Sequence, residues 1–138
     1  MSRFGISISS VLSELGRVRT LVDGFAVAFQ LSSDVAADVQ VALDEVLTNI
    51  IKYGYTDNLA HRIHIQLGIE RNALVAEIED DGVAFNPLDV SAPDLKAPLS
   101  ERRVGGVGIH FVRNLMSEVR YDRVGDRNRL VLKKKLTA

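Results

Sequence analysis

There is no cysteine anywhere in the chain, and that absence removes disulfide bridges, thiolate metal sites and thiol nucleophiles together. Such a composition suits a reducing compartment. Neither sign of charge prevails: 17 Lys and Arg against 18 Asp and Glu leave a net charge of -1. The broad basic field that drives sequence-independent binding to nucleic acid is therefore missing. Long apolar runs are missing too, with none approaching the roughly 20 residues of a membrane span, and the first residues lack the apolar segment of a secretory signal. These absences point to a cytoplasmic protein that contacts neither nucleic acid nor membrane directly. Proline is scarce and local, confined to Pro87, Pro93 and Pro98. What remains is 138 residues, enough for a single domain with its own core and no metal or disulfide staple.

Apolar spacing divides that domain into elements. Residues 4–9 alternate and predict a short first strand, a candidate edge or dimer strand. Val11, Leu12, Leu15, Val18, Leu21, Val22, Phe25 and Phe29 then recur at three and four, predicting a helix with Ser9 or Ser10 as N-cap. Ser32-Ser33-Asp34 caps a second helix that Gly54 stops. Residues 61–70 and 73–80 alternate on either side of Arg71-Asn72 and predict a hairpin. The prolines break the pattern from Phe85 to Val104, a loop long enough to suggest function. Gly105-Gly106-Val107-Gly108 closes it and opens a short helix with Ile109, Val112, Leu115 and Met116 inward. Residues 119–124 and 129–136 predict a final pair of strands around Gly125-Asp126-Arg127-Asn128. The order β-α-α-β-β-loop-α-β-β predicts an α+β fold, a two-layer sandwich whose mostly antiparallel sheet is covered on one face by about three helices.

Three places carry polar residues that such a fold does not itself require. On the second helix Glu45, Asn49 and Lys52 share one stripe beside an apolar arc, which is either a solvated face or a site. At the end of the hairpin, the period-two count from Leu74, Ala76 and Ile78 aims Asp80 at the core, where a carboxylate needs a donor such as a ligand amine. Gly82 follows and leaves room for a flat ring against the backbone, although an Asp-Asp-Gly turn would look the same. The Gly105–Gly108 run offers either a lid hinge or a helix N-terminus for phosphate; it is neither a P-loop nor a dinucleotide fingerprint. Arg102 and Arg103 are solvated or approach a polyphosphate. His61, His64 and His110 show no ligand spacing and are treated as ordinary, and Lys133-Lys134-Lys135 predicts a charged edge strand.

Taken in order, Glu45-x-x-x-Asn49, Asp80-x-Gly82-x-Ala84-Phe85 and Gly106-x-Gly108 resemble the N, G1 and G2 boxes of the GHKL ATPases. Leu115 to Tyr121, the small size and the proline-containing lid at about 86–105 are similar to the stand-alone anti-sigma-factor serine/threonine kinases of bacterial partner switching. The resemblance implies a Bergerat-type fold binding ATP and Mg²⁺. It implies Glu45 as catalytic base, Asn49 as the Mg²⁺ ligand and Asp80 as the acceptor of the adenine amine, with Gly82, Ala84 and Phe85 beside the ring. Arg103, Gly105, Gly106, Val107 and Gly108 would meet the phosphates, and Lys52 would take a phosphate or structural role. The implied partner is a STAS-type anti-anti-sigma protein, with a sigma factor as a second candidate and a homodimer as a third. Two departures stand out: Ala84 replaces the second Gly usual in the first adenine box, and Asn128-Arg129 stands where relatives often carry Thr. A nucleotide-responsive binding protein without transfer is the alternative; the ATPase part of a sensor histidine kinase is disfavoured.

Overall fold

The computed structural model describes residues 3–89 and 106–136. Five strands and three helices follow one another as β1 (Arg3–Ser9), α1 (Leu15–Ala28), α2 (Ser33–Tyr53), β2 (Arg62–Glu70), β3 (Ala73–Asp80), α3 (Gly106–Leu115), β4 (Glu118–Val124) and β5 (Arg127–Lys135). The strands form one sheet in the order β1-β2-β3-β5-β4, every neighbouring pair antiparallel. Alternation sets its two faces. Ile63, Ile65 and Leu67 of β2 join Leu74, Ala76 and Ile78 of β3 and Leu130 and Leu132 of β5 on the inner face. There they share one core cluster with Val18, Val22 and Phe25 of α1, Leu43 and Leu47 of α2, and Val112 just before the end of α3. The outer face carries charge instead, as in the Glu77 contacts with Arg129 at 2.8 Å and Arg3 at 3.6 Å.

Helix ends follow local chemistry with one exception. Ser32 caps α2, its hydroxyl accepting the Val35 N–H at 3.2 Å. Neither Ser9 nor Ser10 caps α1. A single 3₁₀ turn, Leu12–Glu14, precedes that helix; the Ser9 N–H donates to the Glu14 carboxylate, and the Ser10 hydroxyl accepts from the His61 N–H. Ser9 thus ties the first strand to the 3₁₀ turn, and Ser10 ties it to the start of the second strand. At its other end α1 closes in a Schellman motif, with Leu31 N–H on the Ala26 carbonyl, Gln30 N–H on the Val27 carbonyl and Gln30 at φ 53°.

Two further expectations are corrected. The Lys133–Lys135 segment is not an edge strand, because β5 lies between β3 and β4. Lys133 instead meets Glu118 at 3.5 Å, and Lys134 reaches Asp38 and the Leu115 carbonyl at the end of α3. The link between β4 and β5 is also shorter than the four residues expected: Gly125-Asp126 alone makes the turn, Gly125 has φ 62°, and Val124 pairs with Arg127. Asn128 therefore belongs to a strand. Residues 90–105, most of the expected lid, lie outside the described residues. Among the described residues no helix is long and apolar enough to cross a membrane.

Candidate functional site

A cavity of about 180 Å³ opens between the C-terminal half of α2 and the ends of β3, β4 and β5. Val46, Asn49, Ile50 and Tyr53 form its helix side; Asp80, Val83, Ala84 and Phe85 form the opposite rim. Tyr121, Asn128 and Leu130 close the back. The wall is largely apolar with a few convergent polar groups, the usual make-up of a small-molecule site and a good match to a flat heteroaromatic ring.

Sheet register builds the polar end. Asp80 and Asn128 are direct partners across β3 and β5, both on the inner face and both buried, at 4% and 7% exposure. Tyr121, opposite Leu130 on β4, stands two residues along that same face. The Asn128 amide donates to Asp80 Oδ1 at 3.0 Å and to the Val83 carbonyl at 2.8 Å, while its own oxygen accepts from the Tyr121 hydroxyl and from the Phe85 N–H. Asp80 Oδ1 also accepts the Gly82 N–H at 2.8 Å. Burial raises the Asp80 pKa above its ordinary value, with Asn128 and the Gly82 N–H opposing that rise.

Glycine at 82 is a matter of space. A side chain there would collide with the Gly54 carbonyl, which accepts the Val83 N–H at 2.7 Å. A Cβ on Gly54 would press into the Ile50 carbonyl at 2.6 Å. The end of α2 and the end of β3 are thus in backbone contact beneath the cavity. Arg123 adds a guanidinium to the Gly82 carbonyl at 2.9 Å.

Of the residues singled out in the sequence, Asn49, Asp80, Ala84 and Phe85 meet around the cavity, and Gly82 holds Asp80 from below. The Asn49 amide nitrogen is buried with no hydrogen-bond partner among the described residues. Glu45 lies one turn before Asn49 on α2 but does not border the cavity, and Lys52 is exposed. Gly106, Val107 and Gly108 form the first turn of α3. Arg103 and Gly105 lie outside the described residues.

Sequence reasoning missed two things. The resemblance marked Asn128 only as a departure from Thr, and the residue pattern put it in a four-residue turn, so its pairing opposite Asp80 was missed; a two-residue Gly-Asp turn would have given it. His61 is not ordinary: its ring lies 2.7 Å from Asp57 and 3.0 Å from Asp81 and stacks on Tyr55 with centroids 4.1 Å apart. Both bonds need an imidazolium, and the two carboxylates, Asp57 foremost, raise the His61 pKa. The buried Tyr55 hydroxyl, without a hydrogen-bond partner among the described residues, is raised by burial and then by Asp80, Asp81 and Asp57.

Known proteins resemble the chain at the levels of sequence and fold. It is 32% identical to the serine/threonine-protein kinase BtrW of Bordetella bronchiseptica over 89 residues, 64% of this chain and 63% of that protein. It is 27% identical to the serine-protein kinase RsbW of Oceanobacillus iheyensis over 110 residues, covering 77% of this chain and 70% of the relative. With the anti-sigma F factor of Bacillus subtilis it shares 24% over 104 residues, 75% of this chain and 71% of the other. The crystal structure of the RsbU and RsbW domains of a Mycobacterium tuberculosis protein superposes with a TM-score of 0.70 at 14% identity, over 99% of this chain and 32% of that one. The match to the histidine kinase-like ATPase domain runs over residues 8–134. Every residue bordering the cavity falls inside that span, and the chain belongs to the histidine kinase-like ATPase domain family.

Proposed function

We propose that this chain is an ATP-dependent serine/threonine protein kinase of a bacterial partner-switching system, acting on a STAS-type anti-anti-sigma partner and binding a sigma factor when that partner is absent. The observation that carries the reading is the buried Asp80 carboxylate, held by Gly82 and Asn128 at the polar end of a largely apolar cavity that Asn49 also borders. A purine fits between the apolar walls with its exocyclic amine donating to Asp80, and its triphosphate would extend toward Asn49 and the first turn of α3. Relatives named as serine or serine/threonine kinases and as anti-sigma factors support both halves of the proposal.

Mg²⁺ fits the donor set. Asn49 borders the cavity, and its side-chain amide oxygen is a hard ligand. No cluster of three His, Cys, Asp or Glu residues is available for a metal among the described residues, so phosphate oxygens and water would complete the shell, as is usual for this ion. When bound, the ion would neutralise charge on the phosphates. Glu45, one helical turn before Asn49, would accept the proton of the partner's serine hydroxyl. The serine oxygen then bonds to the γ-phosphorus as the bond from that phosphorus to the β–γ bridging oxygen breaks, and ADP leaves.

A binding protein that takes up nucleotide without transfer is the second reading, favoured by the position of Glu45 outside the cavity wall. Radiolabelled ATP with the STAS-type protein encoded beside this chain separates the two. Wild type is expected to transfer label, Glu45→Ala to bind ATP and transfer at least about a hundredfold more slowly, and Asn49→Ala to lose both. Binding without transfer by wild type selects the second reading; undiminished transfer by Glu45→Ala removes the base assignment.

A further inference from the structure

The polar end of the cavity contains an imbalance that the functional reading leaves unused. Every hydrogen-bonding group of Asn128 is engaged inside the protein. Both amide hydrogens are committed, to Asp80 Oδ1 and to the Val83 carbonyl, and the amide oxygen accepts from Tyr121 and Phe85. The amide cannot usefully turn over, because its oxygen would then face the Asp80 carboxylate and the Val83 carbonyl. Asn128 therefore has nothing left to offer a base directly, although it borders the cavity.

Its effect falls on Asp80. Oδ1 already accepts two hydrogen bonds, from Gly82 and Asn128. Among the described residues none donates to Oδ2, so one carboxylate oxygen is left to accept from a ligand. The plane of the carboxylate is fixed by the Asn128 clamp, and the clamp is fixed by the Tyr121 hydroxyl. The same amide holds Val83 and Phe85 on the rim.

We propose that Asn128, locked by Tyr121, is a positioning residue for base selection: it occupies one oxygen of Asp80 and aims the other at the 6-position of a purine, rewarding an amino group there. The proposal rests on the ATP reading and adds the source of its discrimination. A 6-oxo purine would present an acceptor to an acceptor and be rejected, and a purine with no 6-substituent would forgo the bond without a clash.

Calorimetric titration of ATP, GTP and purine riboside triphosphate, which lacks the amine, tests this with wild type, Tyr121→Phe, Asn128→Ala and Asn128→Thr. Wild type is expected to prefer ATP over purine riboside triphosphate by about tenfold or more, the value of a hydrogen bond to a charged group. Tyr121→Phe should shrink that ratio to roughly threefold, and Asn128→Ala should bring it close to one; a loosened rim weakens all three nucleotides alike, and the loss beyond that should fall on ATP. Asn128→Thr, which restores a hydroxyl donor toward Asp80, should recover part of the ratio. Equal weakening of all three nucleotides would mean a structural role only and overturn the proposal, as would an unchanged ratio in both variants. Tyr121→Phe removes a single oxygen and carries the test should Asn128→Ala fail to fold. Wild type that binds none of the nucleotides removes the ATP reading itself; wild type that binds ATP without preferring it overturns this inference alone.

Discussion

At the scale of single residues, Asp80 connects sequence to chemistry most directly. Its inward direction followed from period-two counting, and it is buried as that count requires. Asp80→Asn keeps an oxygen for Gly82 and Asn128 but turns the remaining atom from acceptor to donor. Because burial raises the Asp80 pKa, the ionised form carries a folding penalty above that raised value, and the neutral amide does not. Asp80→Asn is thus expected to melt at the same or a higher temperature than wild type at pH 8 while binding ATP at least about tenfold more weakly, by thermal melts and calorimetry. His61 gives the opposite sign. Its raised pKa means that its ion pairs stabilise the fold fully below the ordinary value of 6.5 and fade as pH rises through the raised one. Asp57, held low chiefly by His61, sets the acid limit: its contribution is present above 3.8 and fades as pH falls through the lowered value. The melting temperatures of wild type and His61→Asn should differ most near pH 5.5 and converge by about pH 9. Periodicity could not reveal this role, because Asp57, four residues before His61, lies in an irregular link, and Asp81 reaches His61 only after the hairpin has brought the end of β3 beside the start of β2.

At the scale of elements, the backbone accepts conformations that its side chains do not favour. Gln30 closes the α1 Schellman motif at φ 53°, and Arg71 and Asn72 turn the β2–β3 hairpin at φ 50° and 60°. Gln30→Gly should stabilise the protein by about 1 kcal/mol in urea titration, because glycine occupies the left-handed region without the Cβ penalty. Ser32→Ala should cost about 1 kcal/mol through loss of the α2 cap. The helices and hairpins were legible because apolar period and turn residues are local signals. Strand order is not local: nothing in Lys133-Lys134-Lys135 says that β4 will cover β5, so a segment suited to an edge lies inside the sheet, with the Lys133 ammonium taken by Glu118 and that of Lys134 by Asp38 and the end of α3. The α2 stripe shows the same limit. Glu45, Asn49 and Lys52 were placed on one face, yet only Asn49 borders the cavity, because where the helix lies against β3 and β5 decides which part of that face is enclosed.

At the scale of the whole molecule, a single core joins all three helices to the sheet, and the cavity sits at one end of that core. Leu47→Ala, at a fully buried α2 position, should cost about 3 kcal/mol and lower nucleotide affinity only through loss of folded protein. Ligand binding should act on the same global equilibrium: ATP at a hundred times its dissociation constant contributes about 2.7 kcal/mol, or roughly 8 °C in melting temperature for a chain of this size. The contact between Gly54 and the Gly82–Val83 turn constrains how that gain is distributed. With no side chain between them, the helix bearing Asn49 and the strand bearing Asp80 form one jaw, and a ligand gripping either end stiffens both. The Val83 amide proton, bonded to the Gly54 carbonyl at 2.7 Å, becomes a gauge of that jaw: its exchange with solvent should slow whether the protein is given a triphosphate nucleotide or adenosine alone.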